Sequence, residues 1–422
     1  MTITGPRAEE LPRAKIKRRL PRPAELRPLV KFRLPSLDAR ERRLAGAHTI
    51  DDLRAIARRR TPRSVFDYVD GAAEQEISIG RARTAFDSVE LHPRVLRDVS
   101  RVDASTQILG APAALPLVLA PTGFTRMMHH EGEIAVARAA ARAGIPYVLS
   151  TMGTTDLDEV RACAPTARQW FQLYLWKDRE ASELLLERAV RADYEALVLT
   201  VDTPIGGARM RDVRNGLTIP PSLTLRTFAG MAIRPSWWMN ILTTEPLQFA
   251  ALNEFDGTVE ELVGRMFDPS ATCEDLRWLR ARWPRKLVVK GIQSVADAKL
   301  VAELGADAIV ISNHGGRQLD RAPTPLELLP RVVDAVGDTC EVLIDTGVRT
   351  GADLLAARAL GASAAMVGRP YLYGLMAAGE RGVDRVLEIF EAEYTRTMRL
   401  LGVVRTDEIG AQHATLRADR GR

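Results

Sequence analysis

The feature that most constrains what this chain can fold into is a repeat. From about residue 115 onward, short apolar runs end in clusters of Gly, Pro, Thr, Asp or Asn and give way to helical patterns. The eight runs are LPLVLAPTG, PYVLST, WFQLY, EALVLTVDTP, KLVVKG, AIVISNHGG, VLIDTG and AAMVGR. Runs apolar on both faces read as buried parallel strands. Segments such as EGEIAVARAAARAG, SVADAKLVAELG and GADLLAARALG lie between them with helical periodicity. Eight alternations of this kind predict an α/β fold, a closed (β/α)8 barrel. Spacings of roughly 20 to 35 residues suit one strand-loop-helix unit each. The interval between Asp202 and Leu287 is much wider, so an insertion follows the fourth strand.

At 422 residues, the chain holds one large domain with appendages. Residues 47–410 are expected to form the barrel domain, with an insertion at about 207–270, a basic, flexible tail at 1–46 and a short C-terminal tail at 411–422. The insertion carries Trp237 and Trp238 between Ile233 and Ile241 and reads as a functional lid or docking loop. Ahead of the barrel, TIDDLRAIARRRTPRSVFDYVDGAAEQE predicts helices broken at Pro62 and Gly71, with Thr49 and Asp51 as caps.

A composition of 46% hydrophobic and 27% charged residues excludes a disordered, fibrous or collagen-like chain. The sequence has no signal-peptide block and no spanning run, which places the protein in the cytoplasm. Cys163, Cys273 and Cys340 are scattered, as neither a disulfide framework nor a metal cluster would be. The net charge of +5 is uneven: residues 1–43 hold 13 Lys or Arg against 5 Asp or Glu. A basic tail on a near-neutral body is not a nucleic-acid-binding domain. It is either a solvated arm or a segment drawn to an anionic surface, such as the inner face of the cell membrane.

In such barrels the active site lies where the strands end. The residues there are Pro121, Thr122 and Gly123; Ser150; Gln172 with Tyr174; Thr200 with Asp202; Lys290; Ser312 with His314; Asp345 with Gly347; and Gly368 with Arg369. In Ser312-Asn313-His314-Gly315-Gly316-Arg317-Gln318 the imidazole can accept a proton near neutral pH. The Arg317 guanidinium can hold a carboxylate through two parallel hydrogen bonds. Asp202, at a neighbouring strand end, could orient the imidazole and stabilise its charged form. After the seventh and eighth strands come Asp345-Thr346-Gly347-Val348-Arg349 and Gly368-Arg369-Pro370. Loops at those two places often hold phosphate, so a phosphorylated cofactor is expected.

With APTGFTRMMHHEGE, WFQLYLWKDR, LTVDTP followed by Arg209, LVVKGI, SNHGGRQLD, DTGVRTGAD and GRPYLYGL in order, the chain resembles the FMN-dependent α-hydroxy-acid oxidising family. The likeness runs from about Asp51 to Glu408 and is closest to its bacterial, above all actinobacterial, L-lactate dehydrogenases. The resemblance implies His314 as the active-site base and Asp202 as its partner. It further implies that Arg209 and Arg317 hold the substrate carboxylate and that Tyr68 and Tyr174 contact the substrate. It assigns Pro121, Thr122, Gly123, Ser150, Gln172, Thr200, Lys290 and Ser312 to the FMN ring and ribityl chain. Asp345, Gly347, Arg349, Gly368 and Arg369 fall around the ribityl hydroxyls and phosphate. Thr346 departs from a glycine of the plant-type oxidases, and Met152 stands where glycolate oxidase has a tryptophan.

The expected activity is oxidation of a small L-2-hydroxy acid, L-lactate to pyruvate first, with electrons passing to quinone or a cytochrome. The alternatives are an oxidase or monooxygenase using oxygen, or a catalytically silent flavin-binding barrel. The family implies a homotetramer. The basic tail and the tryptophan pair together suggest peripheral attachment to an anionic membrane.

Overall fold

The computed structural model describes residues 19–28, 36–216, 234–250 and 266–417. Eight parallel strands close into a barrel: β1 Leu117–Leu119, β2 Tyr147–Ser150, β3 Gln169–Leu173, β4 Ala196–Thr200, β5 Lys286–Ile292, β6 Ala308–Ile311, β7 Glu341–Ile344 and β8 Ala364–Val367. Each pairs with its sequence neighbours. Closure is made by β8 on β1, with Ala365 opposite Leu117 and Val367 opposite Leu119. All eight apolar runs are therefore strands.

Alternation along each strand sorts the core into two layers. Val118, Val148, Trp170, Val198, Val288, Val310, Leu343 and Met366 form one cluster, which fills the bore. Their neighbours Leu117, Leu149, Phe171, Leu197, Val289, Ile309, Val342 and Val367 belong to the larger cluster that the helices complete. The bore cluster also takes in Ile108 and Leu109 from the hairpin Thr106–Ile108 and Ala111–Ala113. Arg168, beside the start of β3, donates to the Ile108 carbonyl at 2.7 Å, and Glu341 of β7 accepts from the Leu109 amide at 2.9 Å. The hairpin thus plugs the amino end of the barrel. The strand ends that carry the candidate chemistry lie at the opposite, carboxyl end.

Ahead of the barrel, helices Ile50–Arg60 and Arg63–Asp70 break at Pro62 and Gly71 as expected. Thr49 caps the first. Its reciprocal partner is Asp52, not Asp51, because only the third helical position can reach back to the cap amide. The expected tails are shorter than the sequence suggested. Helix Ala39–Ala45 docks on the body, Arg40 donating to Glu131 at 2.8 Å and Arg381 pairing with Asp38. At the other end, Ala414–Leu416 pairs antiparallel with Val89–Leu91.

Part of the insertion is helical. Trp237 and Trp238 lie on a helix, Pro235–Leu242, and not in a loop. The Trp237 indole donates to the Met127 carbonyl at 2.9 Å and packs against the core, which corrects its reading as a lipid-facing residue. Residues 217–233, including Ile233, and 251–265 lie outside the described residues. Among the described residues no helix is long and apolar enough to cross a membrane.

Helices Arg369–Ala378 and Glu380–Leu401 cross where Gly374 faces Gly382, and a Cβ on Gly382 would overlap the Gly374 carbonyl oxygen. Backbone cannot yield there as a flexible side chain can. Gly382→Ala is expected to cost about 1–3 kcal/mol, read as a lowered urea midpoint with an unchanged slope.

Candidate functional site

The carboxyl ends of the strands converge on a buried polar cluster around Lys290. This β5 side chain is only 5% exposed, and its Nζ lies 3.0 Å from Ser312 Oγ and 3.0 Å from Asp345 Oδ2. Burial pushes the ammonium towards neutrality, but Asp345 and Asp202 outweigh it and hold the lysine above its ordinary pKa. Asp202 follows β4, with its side chain 2% exposed, and its Oδ1 is 3.0 Å from His314 Nδ1. Burial alone would raise the aspartate, yet His314 and Lys290 bring it below the usual carboxylate range. An ionised Asp202 fixes the imidazole by Nδ1 and leaves Nε2 as the nitrogen free for chemistry.

His314 itself is held in the left-handed region at φ 60°, followed by Gly315 at φ 67°. Such geometry costs a non-glycine residue of order 1 kcal/mol or more. It is secured by the His314 amide donating to Ser312 Oγ and the Gly315 amide to Thr346 Oγ1, both at 3.0 Å. A Cβ on Gly315 would lie 2.6 Å from Arg369 Nη1, the end of a flexible side chain, so it is the left-handed backbone that favours glycine here.

Two guanidinium groups bracket Tyr68. Arg317 lies 4.8 Å and Arg209 5.3 Å from the ring centroid. Burial, and then repulsion by Arg209, pushes Arg317 down to about 10. Asp212 lies 3.4 Å from Arg209, so one carboxylate faces two guanidinium groups, and a carboxylate guest would balance the remaining charge. Tyr174 is buried beside them, its phenol raised by burial and by Asp202 and Tyr68. Tyr68, Tyr174, Arg209, Arg317, Asp202 and His314 therefore occupy one neighbourhood.

Other expected residues sit less simply. Ser150 donates to Gln172 Oε1 at 3.0 Å, while Gln172 Nε2 and Asp202 Oδ2 are buried without a partner. Thr200 ends β4 beside Lys290 in register. The Thr122 hydroxyl is 2.6 Å from the Tyr371 hydroxyl, and Gly123 packs on Met152. Gly347 packs against Ala82 and Phe86 of the helix Ile77–Asp87. Gly368 caps the helix that begins at Arg369. Arg369 donates to the Val69 carbonyl at 2.8 Å and the Gly71 carbonyl at 2.7 Å, and Arg349 is 3.8 Å from Asp51.

The sequence reading missed the residues that hold the rim. Gln318 takes the Gly207 amide at 3.0 Å and donates to the carbonyls of Asp202 and Ile205 at 3.1 and 2.8 Å. Asp320 accepts from the amides of Gln75, Ile77 and Ser78. Both lie in the SNHGGRQLD segment, but only tertiary neighbours reveal their partners.

This donor set fits FMN. An unpartnered amide donor on Gln172 and a buried ammonium suit the acceptor edge of a flavin ring. A helix start at Gly368 and Arg369, with Arg349 nearby, suits its phosphate.

Comparison with known proteins gives the same class, a flavin-dependent oxidoreductase on an eight-fold barrel. The family described as FMN-dependent dehydrogenase matches residues 57–416. The chain is 54% identical, over 95% of its length and 97% of the relative, to a Mycobacterium tuberculosis protein that carries the provisional name L-lactate dehydrogenase. It is 42% identical to an L-lactate dehydrogenase of Caulobacter vibrioides, over 87% of this chain and 97% of that one. The solved structure of a monotopic membrane protein, (S)-mandelate dehydrogenase, superposes with a TM-score of 0.85 at 36% identity, covering 88% of this chain and 100% of that chain. The chain belongs to the FMN-dependent dehydrogenase family.

The helix that presents Tyr68 ends in Asp70, which binds Arg54 at 2.6 Å, Arg211 at 3.0 Å and the Tyr373 hydroxyl at 2.9 Å. Although burial opposes it, these partners depress Asp70 from 3.8 to about 2. A depressed carboxylate stabilises the fold above its unfolded pKa, and that stability is lost as pH falls through the folded value. Asp70→Asn should therefore cost about 2 kcal/mol at neutral pH, with the deficit against wild type shrinking between about pH 4 and 2. Urea titrations at several pH values measure it.

Proposed function

We propose that the protein oxidises a small L-2-hydroxy acid, L-lactate before others, to the 2-oxo acid and passes the electrons to a respiratory acceptor of the quinone or cytochrome type. The observation that carries this reading is the His314–Asp202 pair at 3.0 Å in the same neighbourhood as the two arginines around Tyr68. A proton acceptor and a carboxylate clamp are what oxidation beside a carboxylate requires. The names of the relatives support lactate as the substrate.

Arg317 and Arg209 bind the carboxylate and set the direction of the rest of the substrate. His314 takes a proton from the substrate at Nε2, and Asp202 stabilises the resulting imidazolium. Tyr68 and Tyr174 lie in the same neighbourhood and would keep water from the reacting carbon. Lys290 and Gln172 would hold the ring of FMN, with Arg369 and Arg349 at its phosphate. When bound, FMN supplies the two-electron acceptor.

His314→Ala is expected to keep its yellow colour yet to be reduced by L-lactate about a hundred- to ten-thousand-fold more slowly, read by anaerobic stopped-flow absorbance. Reduction within tenfold of wild type would remove His314 from the mechanism. Admitting air to the bleached wild type separates the readings. Slow return of colour fits a dehydrogenase, and return as fast as turnover fits an oxidase.

We also propose peripheral attachment to the inner face of the cell membrane through the insertion. Met239 and Leu242 of the helix Pro235–Leu242 are 49% and 71% exposed, and basic side chains near an anionic leaflet contribute about 1 kcal/mol each. Flotation with anionic vesicles at low salt should carry the wild-type protein, and Met239→Ser with Leu242→Ser should weaken it. Wild-type protein that never floats would end this proposal and leave the flavin chemistry untouched.

A further inference from the structure

Away from the barrel mouth, beneath the helix Pro235–Leu242, lies a cavity of 170 Å³ lined by Arg40, Arg43, Arg60, His130, Ser236 and Asn240 among others. Its charge is one-sided. Arg40 is compensated by Glu131 at 2.8 Å, and that carboxylate is also engaged by the Glu380 amide at 2.6 Å. Asp38, the next acid, is taken up by Arg381 and by the amides of Arg40 and Glu41. Among the described residues Arg60 donates to the Ser236 hydroxyl, at 2.8 Å. Among the described residues no carboxylate pairs with Arg43 or Arg60, and Arg43 Nε and His130 Nδ1 are buried without a partner.

Burial lowers both Arg43 and Arg60, and the neighbouring arginines lower them further. Such a cluster is unfavourable on its own, since a buried donor without a partner has given up its hydration for nothing in return. His129, His130 and Glu131 do bring possible metal-ligand atoms within 4.8 Å of one another. A cation is nevertheless the wrong guest, because three arginines line the same space and the only carboxylate of that trio already has a cationic partner. Guanidinium forks fit a tetrahedral oxyanion, and the volume admits a phosphate with part of its ester.

We propose that this cavity is a phosphate-binding site, distinct from the barrel mouth, in which Arg43 and Arg60 clamp a phosphate group carried either by a soluble ester or by an anionic phospholipid. Because Arg43 belongs to the helix Ala39–Ala45, Arg60 to the helix Ile50–Arg60 and Ser236 to the insertion, an occupied site ties the three segments to one another.

The test uses FMN-saturated enzyme with excess FMN, so that the cofactor's own phosphate site is filled and added anion cannot act there. Inorganic phosphate, titrated against chloride at matched ionic strength, should raise the melting temperature saturably. Arg43→Gln and Arg60→Gln should each weaken the apparent affinity at least tenfold, while Arg405→Gln, on a distant surface, should not. A second arm replaces phosphate by vesicles of phosphatidylglycerol or phosphatidylcholine. Binding to phosphatidylglycerol alone, lost in Arg43→Gln, supports the site and assigns it to lipid. Response to inorganic phosphate, lost in the same variant, supports it and assigns it to a soluble ester. If neither probe binds, or if both arginine variants respond as wild type does, the proposal is overturned. The variants remove mutual repulsion, so they should fold at least as well without anion, and retained flavin absorbance checks that they do.

Discussion

The structure turns on an ammonium group that water cannot reach. Lys290 sits at the carboxyl end of the bore, nearly fully buried, where an isolated charge would be neutralised or expelled. It stays charged because Asp345 and Asp202 come from the ends of β7 and β4, across the mouth from one another in the barrel order. Each partner then has a second task. Asp345 orders Thr346, whose hydroxyl holds the Gly315 amide, and Asp202 holds the His314 ring. One buried cation thereby fixes the positions of strand ends far apart in sequence, and the strained backbone of His314 is secured by the same group of contacts.

A second constraint comes from outside the barrel. The carbonyls of Tyr68, Val69 and Gly71, at the end of the helix Arg63–Asp70, accept from Arg317 and Arg369. Those carbonyls are the groups a helix end leaves without intrahelical partners. These arginines, from the segments that follow β6 and β8, cap them. The same short segment places Tyr68 between Arg209 and Arg317, so the N-terminal helices contribute to the site and are not mere decoration.

Much of this was legible from the residues. The strands could be read because parallel strands buried on both faces are continuous apolar runs, and their polar ends named the mouth. His314, Asp202 and the arginine pair followed, since their residue types carry chemistry wherever they meet. What stayed hidden depends on partners distant in sequence. Helix Ala39–Ala45 has the composition of a solvated arm, and partners distant in sequence, Glu131 for Arg40 and Arg381 for Asp38, make it a docked element. Trp237 looks like a membrane anchor until the Met127 carbonyl is seen to bind it. Gln318 and Asp320 serve as rim fasteners through backbone groups that no side-chain pattern encodes.

The clasp between Val89–Leu91 and Ala414–Leu416 bears on how such a chain comes into being. The first of its strands leaves the ribosome early, and its partner is among the last segments described. Likewise β1 must wait for β8, some 245 residues later, which at about 5–20 residues per second is roughly 10–50 s of synthesis. For that interval the growing protein carries an open sheet with two unpaired edges. Nascent chains of this kind therefore depend on chaperones or on provisional helix packing, and a stalled ribosome would release an incomplete barrel with its interior exposed.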